Sequence, residues 1–205
     1  MIIMTSTAQD LRTFVSAAAR RPAVIGAIAP SSATLADRLA SVVPSFGLPT
    51  VVELGPGTGS VSAAIARRLP EGGRQLAVEI DPELVEYLRR TRPELEVSYG
   101  DAADLRALLA VHGVGRVDAV VSGLPWALVG TGRQERILAE VTGALTPDGT
   151  FTTFAYLHAL PLAPARRFRA LLRSLFDEVL VTSVVWRNTP PAISYVCRRP
   201  VVQRR

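Results

Sequence analysis

The chain has no lysine, so all 23 of its basic residues are arginine. It has one cysteine, Cys197, which excludes a disulfide framework within the chain and suits a reducing compartment. No run of about eighteen uncharged apolar residues occurs, so no transmembrane helix is predicted. Residues 1–10 lack the charged start and long apolar stretch of a signal peptide. There is no internal repeat and no low-complexity segment. What remains is a globular chain of 205 residues, long enough for one domain with a full core and expected in the cytoplasm.

The net charge is +5. A basic surface favours anionic partners, either nucleic acid or an acidic membrane, and total charge does not choose between them. Genome composition is one sufficient explanation of an all-arginine basic set. The planar guanidinium fork nevertheless pairs well with phosphate wherever it is placed.

The first 45 residues read as a helical cap within a single domain spanning 1–205. Leu11, Phe14, Val15, Ala18 and Ala19 share one helical face. Arg12, Arg20 and Arg21 flank it, so this face is a candidate to lie in an anionic bilayer interface or to pack over a cleft. A second helix is predicted from Ser31 or Ser32, both good N-caps, to Val43. From Thr50 the pattern alternates. Strands are predicted at 51–54, 75–80, 95–98, 117–122, 149–156, 179–186 and 192–198. Helices are predicted at 60–69, from Pro82, at 133–145 and at 164–175. This order implies an α/β fold: seven strands, mostly parallel, with right-handed crossovers and a C-terminal antiparallel hairpin.

The sharpest motif is Glu53-Leu54-Gly55-Pro56-Gly57-Thr58-Gly59, which follows a strand and opens a helix. Its G-x-G-x-G spacing differs from the G-x-G-x-x-G of a dinucleotide site. Glu79 ends the second strand, at roughly the 20-residue gap expected of a ribose-binding carboxylate. Asp101 ends the third, where it can accept from an adenine amino group. Three successive strand ends thus carry polar or glycine positions, and open α/β sheets bind ligands at those ends. Asp81 reads as a helix cap ahead of Pro82. His112 reads as a loop residue and Cys197 as buried strand filler. No metal site is expected.

Together these segments resemble the class I S-adenosylmethionine methyltransferases, with their Rossmann-like sheet, over residues 50–156. Glu53 to Gly59 is similar to their first motif, Val78-Glu79-Ile80-Asp81 to the second and Gly100-Asp101-Ala102 to the third. Ser122-Gly123-Leu124-Pro125-Trp126 falls at the fourth, beside the transferred methyl. The resemblance implies S-adenosylmethionine as cofactor, with Ser32, Glu53, Gly55, Gly57, Gly59, Glu79, Ile80, Asp101, Ala102 and Ser122 around it. A narrower resemblance, to the soluble bacterial phospholipid N-methyltransferases, rests on three segments. These are Arg21 to Ser32, Ser122 to Trp126, and Arg187-Asn188-Thr189-Pro190-Pro191-Ala192 with Tyr195, Arg198 and Arg199. It implies stepwise methylation of phosphatidylethanolamine and peripheral contact with the inner face of the membrane.

Methyl transfer to nitrogen needs a neutral amine aligned with the donor. A primary alkylammonium with a pKa of ~10.4 needs desolvation, a base, or both. Tyr156 is the first candidate to orient the amine, and His158 either accepts the proton or is a solvated loop residue. Trp126, Tyr156 and Trp186 are candidates to face the cationic product, with core packing the competing role for Trp186. Arg187 and Asn188 are candidate ligands for a head group or phosphate, or simply a strand end with an exposed charge. Other classes stay open: an N-methyltransferase for a soluble amine or specialised metabolite, and a non-catalytic subunit that binds S-adenosylmethionine. A nucleic acid partner is not favoured, because rRNA adenine dimethyltransferases usually carry Asn where Ser122 stands.

Overall fold

The computed structural model describes residues 31–201. The helix expected over 11–19 and most of the Arg21 to Ser32 segment lie outside them. Among the described residues, seven strands form one sheet in the order β3-β2-β1-β4-β5-β7-β6. They are β1 (Thr50–Leu54), β2 (Arg74–Glu79), β3 (Glu96–Tyr99), β4 (Val117–Ser122), β5 (Leu145–Tyr156), β6 (Phe176–Val181) and β7 (Ala192–Pro200). The first five are parallel, and β7 inserts antiparallel between β5 and β6. The expected mostly parallel sheet with a C-terminal antiparallel pair is therefore what forms.

Alternation along the strands sends side chains to two helical layers. Val52, Leu54, Leu76, Val78 and Val120 face one layer. It holds α4 (Leu105–Val111), α5 (Thr131–Ala144) and α6 (Ala163–Leu175). Val51, Ala119 and Val121 face the other, against α1 (Ala33–Leu39) and α2 (Ser60–Arg68). Ala77 and Val97 meet α3 (Pro82–Thr91) through Val85 and Leu88. Strands buried on both faces are nearly continuous apolar runs, and β1 and β4 are buried along almost their whole length.

Local chemistry sets the ends of these elements. Ser32 Oγ caps α1 by accepting from the Leu35 N–H at 3.2 Å. Asp81 caps α3, accepting from the Glu83 N–H at 2.8 Å, with Pro82 in the first turn. Both caps were expected. Two elements differ from expectation. The sequence pattern predicts no element over 99–116, yet Leu105 and Leu109 are fully buried there and carry α4. The strand expected over 179–186 instead runs Phe176–Val181, because Phe176 pairs opposite Pro200 and Val181 opposite Tyr195. The chain then leaves the sheet, returning only as a bridge between Val185 and Ala192.

Candidate cofactor and acceptor site

In the strand order the chain turns one way from β1 to β2 and the other way at β4. This is the switch point where open α/β sheets form a crevice. The backbone there is tightly drawn: Gly123 N–H, just past β4, donates to Leu54 O at 2.8 Å. A Cβ on Gly123 would lie 2.6 Å from Gly55 O, so only glycine fits. Gly55, Gly57 and Gly59 all take left-handed φ values of 67°, 58° and 84°, which explains three glycines in five positions. Among the described residues nothing comes within 4 Å of where a Cβ on Gly57 would lie.

Glu79 ties this loop to β2. Its Oε2 accepts from the Gly57 N–H at 3.3 Å, and its Oε1 accepts from the Ile80 and Asp81 N–H groups at 2.9 and 3.0 Å. Burial pushes its pKa above the usual carboxylate value, against those three backbone donors. Ile80 is half-buried, and its amide is spent on Glu79. Glu53 lies deeper, fully buried, with Gln75 Nε2 donating to Oε2 at 3.4 Å. Its Oε1 completes no well-formed hydrogen bond among the described residues, although the nearby Ser62 hydroxyl, like Gln75, lowers its pKa against the effect of burial. Burial raises Glu53 from 4.5 to about 7. A glycine loop open at Gly57, a carboxylate at the next strand end and a buried carboxylate oxygen without a well-formed hydrogen bond suit a ligand carrying a ribose and an ammonium. S-adenosylmethionine carries both, so the residues present fit it.

Asp101 accepts from the Ala103 N–H through Oδ1 at 2.9 Å and from Arg133 Nη2 through Oδ2 at 2.6 Å. Ala102 is buried beside it, against the α4–α6 layer. Arg133 was not singled out in the sequence, and nothing local announces a partner 32 positions away. Ser122 is fully buried, and its Oγ accepts from the Leu124 N–H at 3.3 Å and from Trp126 Nε1 at 3.1 Å. Trp126 therefore departs from expectation. Rather than facing an acceptor, its indole is 3% exposed, stacked on Phe168 at 4.8 Å and edge-on to Phe151. Gln134 braces the same loop by donating to Trp126 O and Val129 O. An indole has a large apolar body and one donor, and here both are used internally.

The β5 end carries Tyr156, partly buried and stacked on exposed His158 with ring centroids 5.8 Å apart. Burial raises the Tyr156 phenol above its ordinary value. Because Tyr156 pairs with Ala192, the 182–191 loop rises at this same carboxyl edge. There Trp186 is 70% exposed rather than packed, and Arg187 is exposed beside it. Asn188 departs from its expected role at a head group. It is buried, accepting from the Ser32 N–H and donating to Pro190 O. Ser32 is likewise used as a helix cap and as this donor. His112 lies at the opposite edge, its Nδ1 2.7 Å from Glu96 Oε1. Cys197 is buried, its thiol pushed up to about 12 by burial. Among the described residues no cluster of His, Cys, Asp or Glu is placed to hold a metal.

Residues 51–149 match a family model described as a methyltransferase domain. Over 193 residues the chain is 32% identical to the ornithine lipid N-methyltransferase of Singulisphaera acidiphila, covering 93% of this chain and 96% of that protein. A shorter likeness, 35% over 78 residues, links it to ribosomal RNA small subunit methyltransferase A of Chlorobaculum parvum, covering 38% of this chain and 27% of that protein. Among solved structures, the O-methyltransferase TomG of Streptomyces achromogenes, in complex with SAM, superposes with a TM-score of 0.65. It has 17% identity and covers 92% of this chain and 90% of its own. At that identity the likeness bears on the fold.

Proposed function

Because this chain belongs to the class I S-adenosylmethionine-dependent methyltransferases, we propose that it methylates the amine nitrogen of a lipid head group. S-adenosylmethionine is its cofactor, supplying an electrophilic methyl. The observation that carries the lipid reading is the end-to-end likeness to a relative that is an ornithine lipid N-methyltransferase. Phosphatidylethanolamine is the head group implied by the resemblance of the Arg187 to Ala192 segment. Both lipids present an amine on an acyl-bearing molecule.

In this reading Glu79 accepts from the ribose hydroxyls, Glu53 Oε1 answers the ammonium and the Gly55 to Gly59 backbone borders the cofactor. Tyr156, a neutral phenol, orients the acceptor amine, and His158 takes the proton that the nitrogen gives up when the methyl passes to it from sulfur, leaving S-adenosylhomocysteine. The rim supports a peripheral contact with an anionic bilayer. Trp186, Leu162 and Leu128 are 70%, 56% and 44% exposed in the segments that follow β6, β5 and β4, with Arg187 exposed in the first and Arg166 and Arg167 exposed at the start of α6. Aromatic and apolar side chains flanked by arginine suit the headgroup boundary. No helix among the described residues is long and apolar enough to cross a membrane.

The test is transfer of labelled methyl from S-adenosylmethionine to liposomes containing phosphatidylethanolamine or ornithine lipid, with and without anionic lipid. Free ethanolamine and ornithine serve as soluble acceptors. Labelled lipid that disappears in Glu79→Ala is the expected result. Label only in a soluble amine, or none while the cofactor still binds by calorimetry, overturns the lipid reading.

A further inference from the structure

Arg133 stands in the first turn of α5, where a cation opposes the helix dipole. Its position therefore calls for a local reason. The side chain reaches Asp101, and both partners are largely enclosed, 13% and 19% exposed. The neighbouring pair between Arg136 and Asp104 is a surface contact at 4.0 Å, 61% and 64% exposed. Enclosed ion pairs give up hydration and are weak devices for stability. The Arg133 Nε is also buried without a hydrogen-bond partner among the described residues. Asp101 is not saturated. A carboxylate offers about four lone-pair positions, and among the described residues Ala103 and Arg133 use two.

We propose that Arg133 is a positioning residue for the cofactor's base: it fixes the Asp101 carboxylate so that its free lone pairs accept from the exocyclic amine of adenine. The inference rests on the placement of the cofactor described above. It makes Arg133 a determinant of base selectivity. Hypoxanthine replaces the amine donor with a carbonyl acceptor, which meets carboxylate lone pairs head-on. A rigid carboxylate rejects it, whereas a mobile one turns away.

The experiment is calorimetric titration of the full chain with S-adenosylhomocysteine and S-inosylhomocysteine. The wild-type protein should prefer the adenosyl ligand by about tenfold or more, or about 1.4 kcal/mol. In Arg133→Met the ratio should fall to within about threefold. If Arg133→Met does not fold, Arg133→Gln carries the same comparison. A folded Arg133 variant with the wild-type ratio overturns the proposal, including one in which both ligands weaken in proportion. Asp101→Ala separates the two levels. If it keeps the wild-type ratio, or if the wild-type protein shows no preference, the adenine placement itself is wrong. If Asp101→Ala loses the ratio and the Arg133 variant keeps it, only the role of Arg133 is wrong.

Discussion

The Ser32 N–H donates to Asn188 Oδ1 at 3.0 Å, joining residues 156 positions apart. The other end of the same amide donates to Pro190 O at 2.7 Å. The first described helix is thereby pinned to the loop that carries Trp186 and Arg187. Two residues expected near ligands are thus bonded to each other at the base of that loop.

Asn188→Ala leaves the Ser32 donor and the Pro190 acceptor unpaired. A loss of about 1–3 kcal/mol is expected, read as a fall of about 2–4 °C in Tm per kcal/mol for a chain of this size. Arg187→Ala, at an exposed position, should melt like the wild-type protein and raise KM for the lipid acceptor. An Asn188→Ala protein with unchanged Tm would show that the pin contributes nothing.

Glu53 makes stability pH-dependent in an unusual direction. Its folded value, about 7, lies above the ordinary 4.5. The folded state therefore holds a proton that the unfolded state has released, and stability declines as pH rises from about 4.5 to about 7. Glu53→Gln removes that decline. Urea denaturation should find the variant close to wild type at about pH 5 and more stable by about 2–3 kcal/mol at about pH 8. Its affinity for S-adenosylmethionine should be weaker, since a neutral amide answers an ammonium less well. A stability gap that does not grow with pH would place Glu53 outside this account.

Trp126 should behave as a core residue. Trp126→Ala is expected to cost about 3–5 kcal/mol, with the loss visible in thermal melting. Trp126→Phe keeps the stacking on Phe168 and gives up the bond to Ser122 Oγ. It should lose about 1 kcal/mol and keep kcat within a few-fold. A large fall in kcat for a well-folded Trp126→Phe would return the indole to the acceptor.

Tyr156→Phe isolates the phenol. With its pKa raised by burial, the hydroxyl stays neutral and works by hydrogen bonding. Its removal should lower kcat by about tenfold, corresponding to about 1.4 kcal/mol, while S-adenosylhomocysteine affinity moves less than about twofold. Stopped-turnover assays paired with calorimetry separate the two. Weaker cofactor binding at unchanged kcat would assign Tyr156 to the cofactor instead.

The sequence by itself determined the layered α/β plan, since apolar runs such as Val51 to Leu54 and turn signals such as Asp81-Pro82 act over a few residues. It also determined the glycine loop: three left-handed positions after a strand leave few side-chain choices. The position of Glu79 at the end of the second strand follows from the same alternation. The tertiary structure alone decided the insertion of β7 between β5 and β6, because strand partners are chosen by which faces remain to be buried. It alone turned Trp126 inward onto Phe168, paired Asp101 with Arg133 and spent Asn188 on Ser32. Those side chains meet partners brought close by folding, from 32 to 156 positions away along the chain. Residue type states what a side chain can bond to, and only the packed chain settles which partner arrives.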